Sequence, residues 1–80
     1  MALVVFSSRL EELTGQKNFV ASSLRFRELL DELVSEFSAL DAKVLTEMAV
    51  AIDGEIIHTP YLETFTERSE IHFIHKISGG

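Results

Sequence analysis

Met48-Ala49-Val50-Ala51-Ile52-Asp53-Gly54-Glu55-Ile56-Ile57-His58 carries the most decisive local signal in the chain. Apolar, largely β-branched residues flank Asp53-Gly54. An Asp-Gly pair accepts the two positive φ angles of a type I′ turn, whose twist matches that of the strands it joins. The stretch therefore predicts a hairpin, and Thr59-Pro60 breaks its second strand. Upstream, Phe26, Leu29, Leu30, Leu33, Val34 and Phe37 fall at i, i+3, i+4, i+7, i+8 and i+11, one face of an α-helix. Arg27, Asp31, Glu32, Ser35 and Glu36 fill the other face. The helix has two possible starts. Ser23 is the conventional cap residue, whereas a Leu24–Leu29 hydrophobic staple would make Arg25 the cap. Leu40 to Glu47, between helix and hairpin, mixes polar and apolar residues without a clear period.

At the front, Leu3-Val4-Val5-Phe6 reads as a strand covered on both faces. Ser8-Arg9-Leu10-Glu11 has the spacing of a capping box, with Leu10 and Leu13 as an apolar edge and Gly15 suited to a left-handed stop. A short helix over Arg9 to Thr14 is expected, then a second strand over Asn18 to Ser22. At the far end, Tyr61 to Ser69 is an irregular connection anchored by Leu62 and Phe65. Glu70 to Ile77 is a last strand in which Ile71 and Phe73 share one face and His72 and Ile74 the other. This order predicts an α+β roll: a mixed sheet, one main helix packed across it, and the first strand beside the last at the centre.

Eighty residues make one domain with one modest core. Seven basic against thirteen acidic residues give a formal charge of -6, which repels a phosphate backbone and argues against nucleic acid as a partner. The same charge either speeds encounter with basic protein surfaces or simply keeps a small protein soluble. The absence of cysteine fits the cytoplasm, where disulfides are rare. The apolar run Ala2–Phe6 is too short for a signal peptide or a membrane span.

No phosphate loop, nucleophile elbow or metal-ligand spacing is evident. His72 and His75 point to opposite faces of an extended strand, and with His58 they read as exposed sheet histidines. Glu11, Glu12, Asp31, Glu32 and Glu36 are placed on solvent-facing helix surfaces, without the burial that tunes a general acid. What remains is Ile77-Ser78-Gly79-Gly80, read as a flexible tail after a domain spanning 1–76. Extended, residues 77–80 reach roughly 13 Å. Glycine lets a backbone pass a narrow channel and leaves its carbonyl carbon open to attack. A free carboxylate is a poor electrophile, so any transfer through Gly80 needs activation supplied by another protein. The plainer alternative is a frayed or linker-like end.

Taken together, these features resemble the MoaD/ThiS family of β-grasp, ubiquitin-like sulfur carriers, with the closer likeness to the MoaD branch, the small subunits of molybdopterin synthase. Val4-Val5-Phe6 followed by Arg9 to Gly15 resembles the opening strand and the R-x-x-x-x-x-G turn, and Phe26 to Leu30 the start of the main helix. Val50 to Glu55 is similar to the family's vAvNgE hairpin, and Ser69 to Gly80 to its closing DEVaFFPPVsGG. Arg68-Ser69 stands where the family has Gly-Asp, and His75-Lys76 where it has Pro-Pro.

The resemblance implies that a MoeB/ThiF-like enzyme adenylates the Gly80 carboxylate with ATP, and that a sulfurtransferase donor then displaces AMP to leave a thiocarboxylate. The tail would enter a MoaE-like large subunit and give its sulfur to a pterin precursor. In this scheme Gly80 carries sulfur, Gly79 and Ser78 give the tail passage, and Ile74 and Ile77 face the partner. No cofactor is bound by the chain itself. Carriers for thiamine or tRNA thiolation, and a ubiquitin-like modifier or interaction module, are the alternatives.

Overall fold

The computed structural model describes residues 1–74, so Ile77, Ser78, Gly79 and Gly80 lie outside the described residues, as does the predicted boundary at residue 76. Alternation along the chain decides the sheet. Strands β1 (Ala2–Val5), β2 (Asn18–Ala21), β3 (Ala49–Ile52), β4 (Glu55–Ile57) and β5 (Glu70–Ile74) line up in the order β2-β1-β5-β3-β4. β5 runs parallel to β1 and antiparallel to β3, while β1–β2 and β3–β4 are antiparallel pairs. The sheet is thus mixed, as expected, and β1 does lie beside the last strand. Asp53 (φ 51°) and Gly54 (φ 87°) both take positive φ at the tip of the β3–β4 hairpin, the arrangement a type I′ turn requires.

The inner face of the sheet carries Ala2, Val4, Val50, Ile52, Ile71 and Phe73, all buried. Helix α2 (Phe26–Glu36) closes this face with Phe26, Leu29, Leu30 and Leu33. The Phe26 and Phe73 rings stand 5.7 Å apart, and Phe37 packs edge-on against both Phe6 and Phe19. This is the β-grasp, ubiquitin-like architecture: one sheet holding one main helix.

Five expectations are corrected. β1 is not covered on both faces: Ala2 and Val4 are buried, but Leu3 and Val5 are only half-buried because no helix among the described residues lies on the far side. β5 is the middle strand with β1 beside it, as expected. The capping box at Ser8 does not form. Ser7 is the N-cap of α1 (Ser8–Thr14) and makes no side-chain cap bond, because burying Leu10 sets the helix phase one residue earlier and leaves no carboxylate at the third helical position. Gly15 still ends that helix at φ 75°, its N–H donating to Glu11 O at 2.8 Å.

The mixed stretch before the hairpin contains a further helix, α3 (Ala42–Thr46), capped by Asp41 Oδ1 accepting from Lys43 N at 2.9 Å and held down by Leu45. Leu62 is 83% exposed and anchors nothing. Pro60–Leu62 forms a single 3₁₀ turn, with room for one buried residue, and Pro60 takes it. Phe65, the other expected anchor, is buried.

The start of α2 settles on Arg25. Its side chain makes no cap bond; instead Phe26 N donates to Glu63 O at 2.9 Å and Phe65 N to Leu24 O at 3.0 Å, so a distant loop satisfies the helix end. Glu32, expected to face solvent, reaches back to the loop after β2. Its carboxylate accepts from the backbone N–H and the hydroxyl of both Ser22 and Ser23, at 2.8–3.2 Å.

Candidate functional site

Because β5 is hydrogen-bonded on both sides, its position is fixed by the body of the fold. Ile74 is the last described residue. It is half-buried on the outer face, the side away from α2, in register with Ala49. Strand pairing extends this face across the whole sheet. One row runs Asn18, Val5, His72, Ala51, Ile56, and the next runs Val20, Leu3, Glu70. Val20 and Ile56 are more than half exposed. Among the described residues the outer face is therefore largely apolar, with Asn18 at one edge and one polar pair near its middle.

That pair is His72 and Glu70. His72 Nε2 lies 2.6 Å from Glu70 Oε1, and both side chains keep about half their surface in water, at 45% and 53%. A shallow depression beside them is lined by Ala51, Asp53, Gly54, Glu70, His72 and Ile74. Asp53 sits at its rim with both carboxylate oxygens engaged. Oδ2 accepts from the buried Ser69 hydroxyl and Oδ1 from Glu70 N, each at 2.9 Å. Ser69 Oγ in turn accepts from Thr66 N at 3.0 Å, and Ser69 N donates to Thr66 O at 3.0 Å. The hairpin tip, the last turn and the start of β5 are thus tied into one unit.

Of the residues singled out from sequence, Ile74 is on the outer face as expected, opposite in sense to the buried Phe73. Gly80, Gly79, Ser78 and Ile77 lie outside the described residues, of which Ile74 is the last. His58 and His72 are not brought together: His58 follows edge strand β4, while His72 is on the central strand. Among the described residues no three His, Cys, Asp or Glu side chains converge on a point that could hold a metal ion. No helix among them is long and apolar enough to cross a membrane.

Sequence reasoning missed the His72–Glu70 pair, although the signal was present: residues i and i+2 of a strand share a face. It also missed the Glu32 clasp. Partial burial pushes the Glu32 carboxyl up, but the four hydrogen bonds from Ser22 and Ser23 together outweigh it and hold the group below the usual glutamate range.

Comparison with known proteins agrees with this architecture. SAMP1 from Haloferax volcanii, known from a crystal structure, superposes with a TM-score of 0.72 at 21% identity, covering 99% of this chain and 98% of that one. The HVO 2177 protein of Haloferax volcanii, known from a solution structure, gives a TM-score of 0.73 at 17% identity over 99% of this chain and 85% of that one. At such identities the likeness speaks for the fold. No curated protein sequence matches the chain. The model of the ThiS family matches residues 4–80, nearly the full length and through both terminal glycines, and the chain belongs to the ThiS family.

Proposed function

We propose that this protein is a sulfur carrier that bears its cargo on Gly80 and serves as the small subunit of a molybdopterin synthase. The observation that supports this most directly is the ThiS-family match, which runs to residue 80 and takes in Gly79-Gly80. The chemistry follows from what a carboxylate needs. Ionised at neutral pH, it resists attack by sulfur nucleophiles. A MoeB/ThiF-like enzyme would let a Gly80 carboxylate oxygen attack the α-phosphorus of ATP, expelling pyrophosphate and leaving an acyl-adenylate. The terminal persulfide sulfur of a sulfurtransferase donor then forms the C–S bond as the C–O bond to AMP breaks, and a thiol reductant cleaves the S–S bond of the resulting acyl disulfide, freeing the donor and leaving the thiocarboxylate. Gly79 and Ser78 give the tail passage into the MoaE-like large subunit, where the sulfur passes to the pterin precursor.

Docking falls to the outer face of the sheet. Ile74 and Ile77 are the proposed partner contacts: Ile74 because it is half-buried on that face next to the tail, and Ile77 because it lies three residues further along. The apolar neighbours Val5, Ala51 and Ile56 extend the surface. The departures from the family ending at His75-Lys76 make carriers for thiamine or tRNA thiolation the second reading.

Mass spectrometry after incubation with ATP, the adenylating enzyme and a sulfur source tests carriage. A mass gain equal to exchanging one oxygen for one sulfur at Gly80 is expected. An isopeptide bond from Gly80 to a target lysine would instead establish a modifier. Restoration of molybdopterin synthesis in cells lacking their own small subunit tests the pathway.

A further inference from the structure

We infer that β2 pairs with the β2 of a second copy of this chain, antiparallel and about a two-fold axis at Phe19, to give a weak dimer with one continuous sheet. The inference does not depend on the carrier reading.

β2 is an edge of the sheet, paired on one side only. Phe6 N donates to Lys17 O at 2.9 Å, and this bond fixes the phase of the ladder. Lys17, Phe19 and Ala21 turn their backbone N–H and C=O toward β1, whereas Asn18 and Val20 turn theirs away from it. The residues flanking this outward pair are already engaged. Ser22 N donates to the Glu32 carboxylate. Gln16 N donates to Thr14 Oγ1 at 3.2 Å, and that hydroxyl also lies 3.1 Å from Gln16 O. Between them, the outward backbone groups of Asn18 and Val20 have no hydrogen-bond partner among the described residues. Both residues are exposed, Val20 at 54%. The opposite edge, β4, is shorter, and within it Ile56 alone turns its backbone outward.

An unpaired, uncharged edge is a template for another strand. This one is symmetric about Phe19. In the antiparallel register Asn18 faces the second copy's Val20 and Val20 faces its Asn18, so every open group of both edges is used. A slip of two residues either way would call on Gln16 or Ser22, whose groups are taken.

The side chains favour a copy of this chain over another extended segment. Phe19 lies on the axis, half-buried and edge-on to Phe37, so pairing sets the two Phe19 side chains next to each other and covers their remaining surface. Lys17 stands opposite the second copy's Ala21, beside the Ser22–Ser23 turn that holds its Glu32. Glu32 has hydroxyl and amide donors but no cation within ion-pair distance among the described residues. Antiparallel pairing brings each lysine to the other copy's carboxylate, whereas parallel pairing would align like charges. The contact is small and each copy carries a formal charge of -6, so the association is weak.

The test is sedimentation equilibrium of the full chain from about 10 μM to about 1 mM, with amide hydrogen exchange followed by NMR at both concentrations. A monomer–dimer equilibrium is expected, in which the Asn18 and Val20 amides exchange about tenfold more slowly at the higher concentration. Val20→Pro removes an outward donor and leaves the bonds to β1 in place. Lys17→Glu sets like charges beside each other at an exposed position, and it carries the test if the proline variant does not fold. Each should raise the dissociation constant about tenfold, with a cooperative urea transition showing that the variant is folded.

A single monomeric species up to about 1 mM overturns the inference. So does a dimer whose Asn18 and Val20 amides stay unprotected, or one that Lys17→Glu leaves unchanged, since its contact lies elsewhere. Protection of these amides that appears only with the proposed large subunit present assigns the edge to that protein and overturns self-pairing.

Discussion

The two faces of the sheet are written in alternate residues of the same strands, yet they are under different constraints. On β5, Ile71 and Phe73 are sealed under α2, while His72 and Ile74 look outward across a surface that no helix among the described residues covers. The inner face is held by volume: every side chain touches others of this chain, so a change in size is felt as stability. The outer face is half-wet, so a change there leaves the fold intact and is felt when a second protein arrives. A single strand thus serves two separable tasks, which substitutions can pull apart.

The largest expected effect lies on the inner face. Phe26 is fully buried and its ring faces Phe73, so Phe26→Ala should cost about 3–5 kcal/mol, a large share of the roughly 5–15 kcal/mol that holds a small domain together. Urea denaturation should show a midpoint shifted far down or a loss of cooperative unfolding. An unchanged midpoint would mean that the two faces are not constrained as described.

The rim between the faces comes next. Asp53→Ala removes the acceptor of the buried Ser69 hydroxyl and puts alanine at a positive φ, so a loss of about 1–3 kcal/mol is expected. Asp53→Asn keeps one of the two accepting oxygens and tolerates that backbone, and it should recover part of the loss in the same denaturation measurement.

On the outer face, Ile74→Lys should weaken docking to the proposed large subunit about tenfold, or about 1.4 kcal/mol, while the thermal midpoint moves little. Unchanged affinity in a titration would take Ile74 out of the contact surface.

The smallest effect concerns the clasp outside both faces. The folded-state pKa of Glu32 is lowered by its serine bonds, so its contribution is present above the unfolded glutamate pKa and fades as pH falls through the folded value. The gap in thermal midpoint between wild type and Glu32→Gln should therefore be larger at neutral pH than in acid. An equal gap at both would remove the ionised clasp as its cause.

What could be read from the residues follows the range over which each signal acts. The hairpin at Asp53-Gly54, the register of α2 and the alternation of Glu70–Ile74 are set by near neighbours and were legible. The features that escaped depend on distant partners. Five residues, Ala42–Thr46, are too few to display a helical period, and their helix exists because Leu45 finds the core and Asp41 caps it. Leu3 and Val5 look like buried residues, but no second layer of helix among the described residues closes their side of the sheet. Glu32 reads as a solvated charge because nothing local announces that Ser22 and Ser23 curl back to it across ten positions. Of the site, Ile74 followed from alternation, whereas the weight of the His72–Glu70 pair appears only once Val5 and Ala51 are known to lie on either side.

The position of β5 between β1 and β3 has a consequence for how the molecule is made. The β1–β2 and β3–β4 pairs can each form from adjacent sequence, but they share no ladder with one another. Residues 70–74 are the keystone that joins them, and they are synthesised after both. On the ribosome, two unconnected hairpins must therefore wait until that segment has emerged, so sheet closure is a late, long-range event and assembly should be slow for a chain of this size.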